Sequence, residues 1–183
     1  INDFERALAE LTDVTDRAEL VRRVEKLLAE VPKGAKGAEN RARILRAGLE
    51  ISPRVGEDFA RKLLEMTVSA YDALPDTKEL VQLTDQANFL EKALFVAGHF
   101  GRVEAIHPLV SRFQKMLQSQ RGTQALQLLD QVAASCFRGL RKLGMRDEID
   151  QILRQMAELV LEGQEVKTID FKKYPNNQGP AAL

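Results

Sequence analysis

Apolar residues recur every three to four positions along most of this chain, and turn-forming residues interrupt them at intervals. That spacing lays an apolar stripe down one side of an α-helix. The interruptions fall at residues 12–15 and 32–37, at Ser52-Pro53, at Leu74-Pro75-Asp76, at His99-Phe100-Gly101, at Gln120-Arg121-Gly122 and at Leu143-Gly144. Between them the pattern predicts eight helices, at about 3–11, 16–31, 38–51, 53–74, 77–98, 103–119, 123–142 and 146–162. Period-two alternation, the mark of a strand, is confined to residues 166–171.

Start signals support this division. Asp16 with Glu19, and Asp76 with Glu79, have capping-box spacing, in which each side chain satisfies a free backbone N–H. Ser52 before Pro53 reads as a cap ahead of a proline in the first helical position. A helix beginning at residues 103–105 places Pro108 in its first turn, where amide hydrogens have no partner.

The second helix of each pair carries an internal echo. Ile106, Leu109, Val110, Phe113, Met116 and Leu117 shift by 43 onto Ile149, Ile152, Leu153, Met156, Leu159 and Val160, all apolar. Shifted back by 43 they fall on Leu63, Met66, Thr67, Ala70, Ala73 and Leu74; a further 46 back lie Arg17, Leu20, Val21, Val24, Leu27 and Leu28. The first helices keep the same offset of 43: Leu83 maps to Leu126, Phe89 to Val132, Leu90 to Ala133, Ala93 to Cys136, Leu94 to Phe137, Ala97 to Leu140, Phe100 to Leu143 and Gly101 to Gly144. Two unrelated amphipathic helices match in some register by period alone. Helix, glycine turn and helix staying in step is the mark of a tandem repeat.

On these residues the chain resembles an α-solenoid, the class of HEAT-like and tetratricopeptide-like helical-hairpin repeats, over residues 1–162. The period fits HEAT-type lengths of about 40–47 better than the tetratricopeptide length of about 34. The resemblance implies an all-α fold of tandem antiparallel hairpins, about eight helices, stacked as a short right-handed solenoid with an extended concave surface. The six-residue seams would line the contacts between layers, and Ala87, Ala93 and Ala97 would let neighbouring helices approach closely. A closed, irregular bundle of the same helices is the competing architecture.

Residues 163–183 form a separate C-terminal tail. Gly163, Pro175, Gly179 and Pro180 end the helical pattern, yet Val166, Ile169, Phe171 and Tyr174 are too apolar for a merely solvated end. The expectation is that residues 166–174 lie extended against the final helices or in the groove, with mobile residues beyond. The alternative is a linker toward a further domain.

Composition narrows the function. The 27 basic and 27 acidic residues cancel, which argues against bulk nucleic-acid binding. One cysteine, Cys136, rules out an internal disulfide framework, and its alignment with Ala93 places it in the core. No run approaches the roughly 20 apolar residues of a membrane span, and no secretory signal is legible, so a cytoplasmic setting is expected. The chain starts at Ile1, as a processed chain or a piece of a longer one would.

Catalytic chemistry is not legible. His99 and His107 are eight residues apart across a turn, and Glu104 between them would complete only an irregular ligand set, so no metal is expected. Lys33-Gly34-Ala35-Lys36-Gly37 follows a helix and lacks phosphate-loop spacing, so it reads as a flexible linker and no cofactor is expected. Glu57-Asp58 and Asp147-Glu148 stand near helix starts, where the macrodipole favours them. Basic clusters stand at Arg22-Arg23-Lys26, at Arg41-Arg43-Arg46 and, most densely, at Arg138, Arg141, Lys142 and Arg146.

The reading that follows is a non-catalytic interaction or scaffold module binding a peptide, a protein or a neighbouring domain of a longer chain. The alternative is a nucleic-acid-associated or enzyme-regulatory helical domain using the Arg138 to Arg146 edge as its docking patch. An apolar groove favours the first, a continuous basic stripe the second, and a closed polar pocket an enzyme.

Overall fold

The computed structural model describes residues 2–120 and 122–162, with all their side chains except those of residues 133–137, 139, 159, 160 and 162. The expectations for a buried Cys136 and for the tail from Gly163 onward lie outside what is described. Among the described residues the chain is all-helical and has no strand: α1 (Asp3–Glu10), α2 (Arg17–Glu30), α3 (Ala38–Val55), α4 (Glu57–Asp72), α5 (Leu80–His99), α6 (Val103–Gln118), α7 (Thr123–Lys142) and α8 (Arg146–Glu162), with short 3-10 turns at Leu11–Asp13 and Ala35–Gly37. None of these helices is long and apolar enough to cross a membrane.

Local chemistry explains where the helices start and stop, and it corrects three expectations. The Asp16 carboxylate accepts from the Glu19 N–H at 2.8 Å, half of a capping box. Glu19 does not reach back, because its carboxylate is taken by Arg22 and Arg23 at 2.7 and 2.8 Å. The Asp76 box does not form. The Glu79 N–H donates instead to the Thr77 hydroxyl at 3.1 Å, a local bond that competes with the helix, and α5 begins only at Leu80.

The expected break at Ser52-Pro53 is the second correction. Pro53 lies inside α3, which runs on to Val55 and stops at Gly56 with φ +138. An interior proline lacks the N–H that would bond to the carbonyl four residues back, here that of Leu49. The Ser52 hydroxyl supplies the missing donor, reaching the Leu49 oxygen at 2.7 Å in a fully buried position. Ser52→Ala should therefore cost about 1–2 kcal/mol by stranding a buried carbonyl. Most of that loss should return in the Ser52→Ala, Pro53→Ala double variant, as read by urea unfolding. Pro108 is the third correction: α6 starts at Val103, so the proline is past the first turn and leaves open the carbonyl of solvent-facing Glu104.

The principal helix contacts follow two rules. Each helix from α2 onward packs on its neighbour in sequence, and beyond that α3 packs on α5 and α5 on α7, while α4 packs on α6 and α6 on α8. Side chains show that the second series runs parallel. Arg102, just before α6, meets Glu57 at the start of α4 at 2.7 Å, and Arg112 meets Asp72 at the α4 end at 2.9 Å. His107 lies 3.4 Å from Glu148, and Gln114 donates to Gln155 at 3.1 Å. In the first series the Arg138 guanidinium stands 6.0 Å over the Phe95 ring, 43 residues earlier in the chain.

The glycine turns echo each other at the same offset. Gly101 and Gly144 both take φ +68, a left-handed value that favours glycine. The Arg102 N–H closes onto the Ala97 carbonyl at 2.8 Å, and the Met145 N–H onto that of Leu140 at 3.2 Å, the six-to-one bond of a Schellman cap.

Ile106, Leu109, Val110, Phe113, Met116 and Leu117 are all buried, as are Ile149 and Met156, with Ile152 and Leu153 half-buried against the core. Three aligned apolar positions depart from the expected burial, Ala73 among them as an exposed residue at the end of α4. Met66 is 38% exposed, because α2 packs principally on α3 and leaves that flank of α4 open. Leu126 is 44% exposed although its counterpart Leu83 is 3% exposed.

Candidate functional site

Arg138, Arg141 and Lys142 close α7 and Arg146 opens α8, so the four expected cations gather around one turn, all exposed. None of them is ion-paired within 4.0 Å among the described residues. Arg141 and Lys142 complement the negative end of the α7 dipole, but Arg146 sits at the positive end of α8, where a cation gains nothing from the helix. The edge continues onto α5 through aromatic contacts: Phe95 stacks on His99 at 6.1 Å, and His99 meets Phe100 edge-on at 4.8 Å.

The other two basic clusters are largely neutralised inside the fold. Arg22 and Arg23 share Glu19, Arg43 forms a two-pronged pair with Glu5 at 2.7 Å, and Arg41 donates to the Pro32 carbonyl at 2.8 Å. The histidines do not converge with Glu104, which lies 3.7 Å from Arg102 while His107 faces Glu148. Among the described residues no group of three or more His, Cys, Asp or Glu is placed to hold a metal.

A second surface was not read from the sequence. The connection from α4 to α5 spans residues 73–79, whereas Gly56 alone joins α3 to α4 and residues 100–102 join α5 to α6. Three depressions of about 790, 540 and 370 Å³ meet at Pro75 in this connection. Leu74, Leu83 and Met116 floor the largest, and Phe89 with Ala42 floors the next. Gln86 lines both, and its amide donates to the Pro75 carbonyl at 3.3 Å, so the loop is tied to α5. The rim is polar and of mixed charge: Lys78, Arg112, Lys115, Ser111 and Ser119 stand with Asp72 and Asp76 around the largest depression, and Arg43 and Arg46 with Glu39 and Asp85 around the next. Pro75 marked a break in the sequence, but helical periodicity on both sides made the gap look two residues wide.

Electrostatics stiffen this rim. Asp72 accepts from Arg112 at 2.9 and 3.2 Å, which holds its carboxyl below the usual carboxylate range and raises Arg112. Tyr71 beside it is pushed up to about 12, first by burial and then by Asp72, so its phenol stays protonated. Hydrogen bonds from Arg43 lower Glu5, and those from Arg22 and Arg23 bring Glu19 from 4.5 to about 2.

Each of these carboxylates has a folded pKa below its unfolded one. Their contribution is therefore present above the unfolded value and lost as pH falls through the folded value. Thermal stability should hold as pH drops to about 5 and fall between about 4.5 and 2, with a shallower decline in Arg112→Gln and Arg43→Gln variants. A melting temperature independent of pH across that window would contradict the pairing.

No curated protein and no solved structure matches this chain. A family model described as Domain of unknown function (DUF8586) matches residues 2–174, nearly the whole sequence, and the chain therefore belongs to that family.

Proposed function

We propose that this protein is a non-catalytic interaction scaffold: a short right-handed solenoid of helical hairpins that holds an extended segment of a partner protein, or of a neighbouring domain, in the groove around Pro75. The solenoid reading is supported by the two contact series, by parallel side-chain links between helices two apart, and by matching Schellman turns 43 residues apart.

The observation that carries the function is the meeting of three depressions at one loop, with an apolar floor between walls of amide and charged groups of both signs. An extended peptide needs those elements, since pockets take its alternate side chains while polar groups meet its backbone. Loops that interrupt a helical array also tend to gather on its binding face.

The test is selection of peptides from a random displayed library, followed by mapping of a selected peptide by amide chemical shifts. Shifts should centre on Gln86, Leu83, Arg112 and Lys115, and Gln86→Trp should abolish binding while leaving the fold intact. Shifts confined to other surfaces, or a library yielding no binder, would refute this reading.

One observation favours a second reading, docking of a polyanion on the Arg138, Arg141, Lys142 and Arg146 edge: these cations lack ion-pair partners among the described residues, unlike most of the other basic clusters. Wild-type protein should then bind DNA, RNA or an acidic peptide with affinity that falls steeply with salt. Reversal of Arg141 and Lys142 to Glu should remove that binding with little loss of stability. No affinity at low salt would leave the edge with a structural role alone.

A further inference from the structure

We propose that the open face of the last helical hairpin is a docking site for the chain's own segment 166–174. The observation that opens it is a pair of equivalent leucines. Leu83 on α5 is 3% exposed and Leu126, 43 residues later on α7, is 44% exposed. α7 packs along α5 and seals that layer, whereas no described helix follows α8 to seal the next.

A second stripe opens at the same end. Leu153, Ala157 and Leu161 lie four residues apart on α8; the first two are half-buried and Leu161 is 58% exposed. The turn at residues 143–145 makes α7 and α8 a hairpin, and Leu126 and Leu161 are nearly the same number of residues from it. Both therefore stand at the open end of the hairpin, where the chain leaves α8. An apolar lip of this kind at the end of a helical array calls for a cover.

Four features select the chain's own segment as that cover. The family match continues twelve residues past α8 and stops at Tyr174, so the shared unit of the family does not end with the last helix. Those twelve residues hold Val166, Ile169, Phe171 and Tyr174, and the next residue is Pro175. Reach is sufficient: four residues from Glu162 to Val166 span up to about 13 Å, more than the roughly 8–10 Å between packed helix axes. Lys167, Lys172 and Lys173 also suit a helix that exposes Asp150 and Glu158.

The chain contains no tryptophan, so Phe171→Trp installs a single reporter in the full-length protein. Its emission should be blue-shifted and its acrylamide quenching constant several-fold lower than in the same protein carrying Leu126→Asp as well. Leu126 is already exposed, so that change should leave the far-ultraviolet circular dichroism unaltered; Leu161→Asp provides the same test from α8. Solvent-like emission that neither aspartate alters would overturn the proposal. So would a blue shift that disappears on dilution together with a dimer in sedimentation, since a second copy would then be the cover. The groove around Pro75 plays no part in these readouts, so failure here leaves the peptide-binding proposal standing.

Discussion

Replacing Phe113 by alanine is expected to cost about 3–5 kcal/mol. Its ring is fully buried on α6, the helix that packs against α4, α5 and α8. Ala70 and Met156 occupy the corresponding positions of α4 and α8 and are 3% and 1% exposed. All three side chains therefore face a seam between helices, and the cavity left by removing Phe113 has walls from several helices that cannot all close in. Met156→Ala should cost about 2–5 kcal/mol on the same grounds. Met66→Ala, at 38% exposure, should cost under about 1 kcal/mol because little apolar area returns to water. Denaturant titration measures all three. Equal midpoints for Phe113→Ala and wild type would mean that α6 is not enclosed by α4, α5 and α8.

Gly37→Ala is expected to cost about 2–3 kcal/mol, by overpacking and not by backbone preference. Gly37 has φ −105, which any residue adopts, but a Cβ there would lie 1.9 Å from the Pro32 carbonyl oxygen and 2.6 Å from Val31 Cγ1. That carbonyl also accepts from Arg41 at 2.8 Å, so it cannot swing away without breaking the link to α3. Gly34→Ala is the control. It has open space around it but φ +75 with ψ −159, a region essentially confined to glycine, and should cost about 1–3 kcal/mol through backbone strain alone. A Gly37→Ala protein as stable as wild type would show that the α2–α3 connection is the loose linker its sequence suggests.

The helices were legible because period 3.6 is written in side-chain polarity. The bounds of α6, α7 and α8 fall within a residue of those read from periodicity and turn residues. The misread boundaries have a common cause, local hydrogen bonds that a one-dimensional pattern does not display. Ser52 repairs the proline defect and lets α3 continue, and Thr77 withholds residues from α5. The cationic edge was readable from spacing alone, since Arg138, Arg141 and Lys142 recur on a helical face. The Pro75 groove was not. Its walls come from α3, α5 and α6, and only packing brings Phe89, Met116 and Arg43 near one loop.

The stacked arrangement makes a distance claim that a closed bundle does not share. Ser69, Arg112 and Gln155 are 43 residues apart in succession on α4, α6 and α8, and the first and last are exposed. With Cys136 replaced by alanine, spin labels on cysteines at positions 69 and 155 report the α4 to α8 separation by double electron–electron resonance. If α6 lies between them, the separation should be narrowly distributed near about 20 Å, twice the 8–10 Å of packed helices. A distribution centred near about 10 Å would place α4 against α8 in a closed bundle and contradict the stacked array.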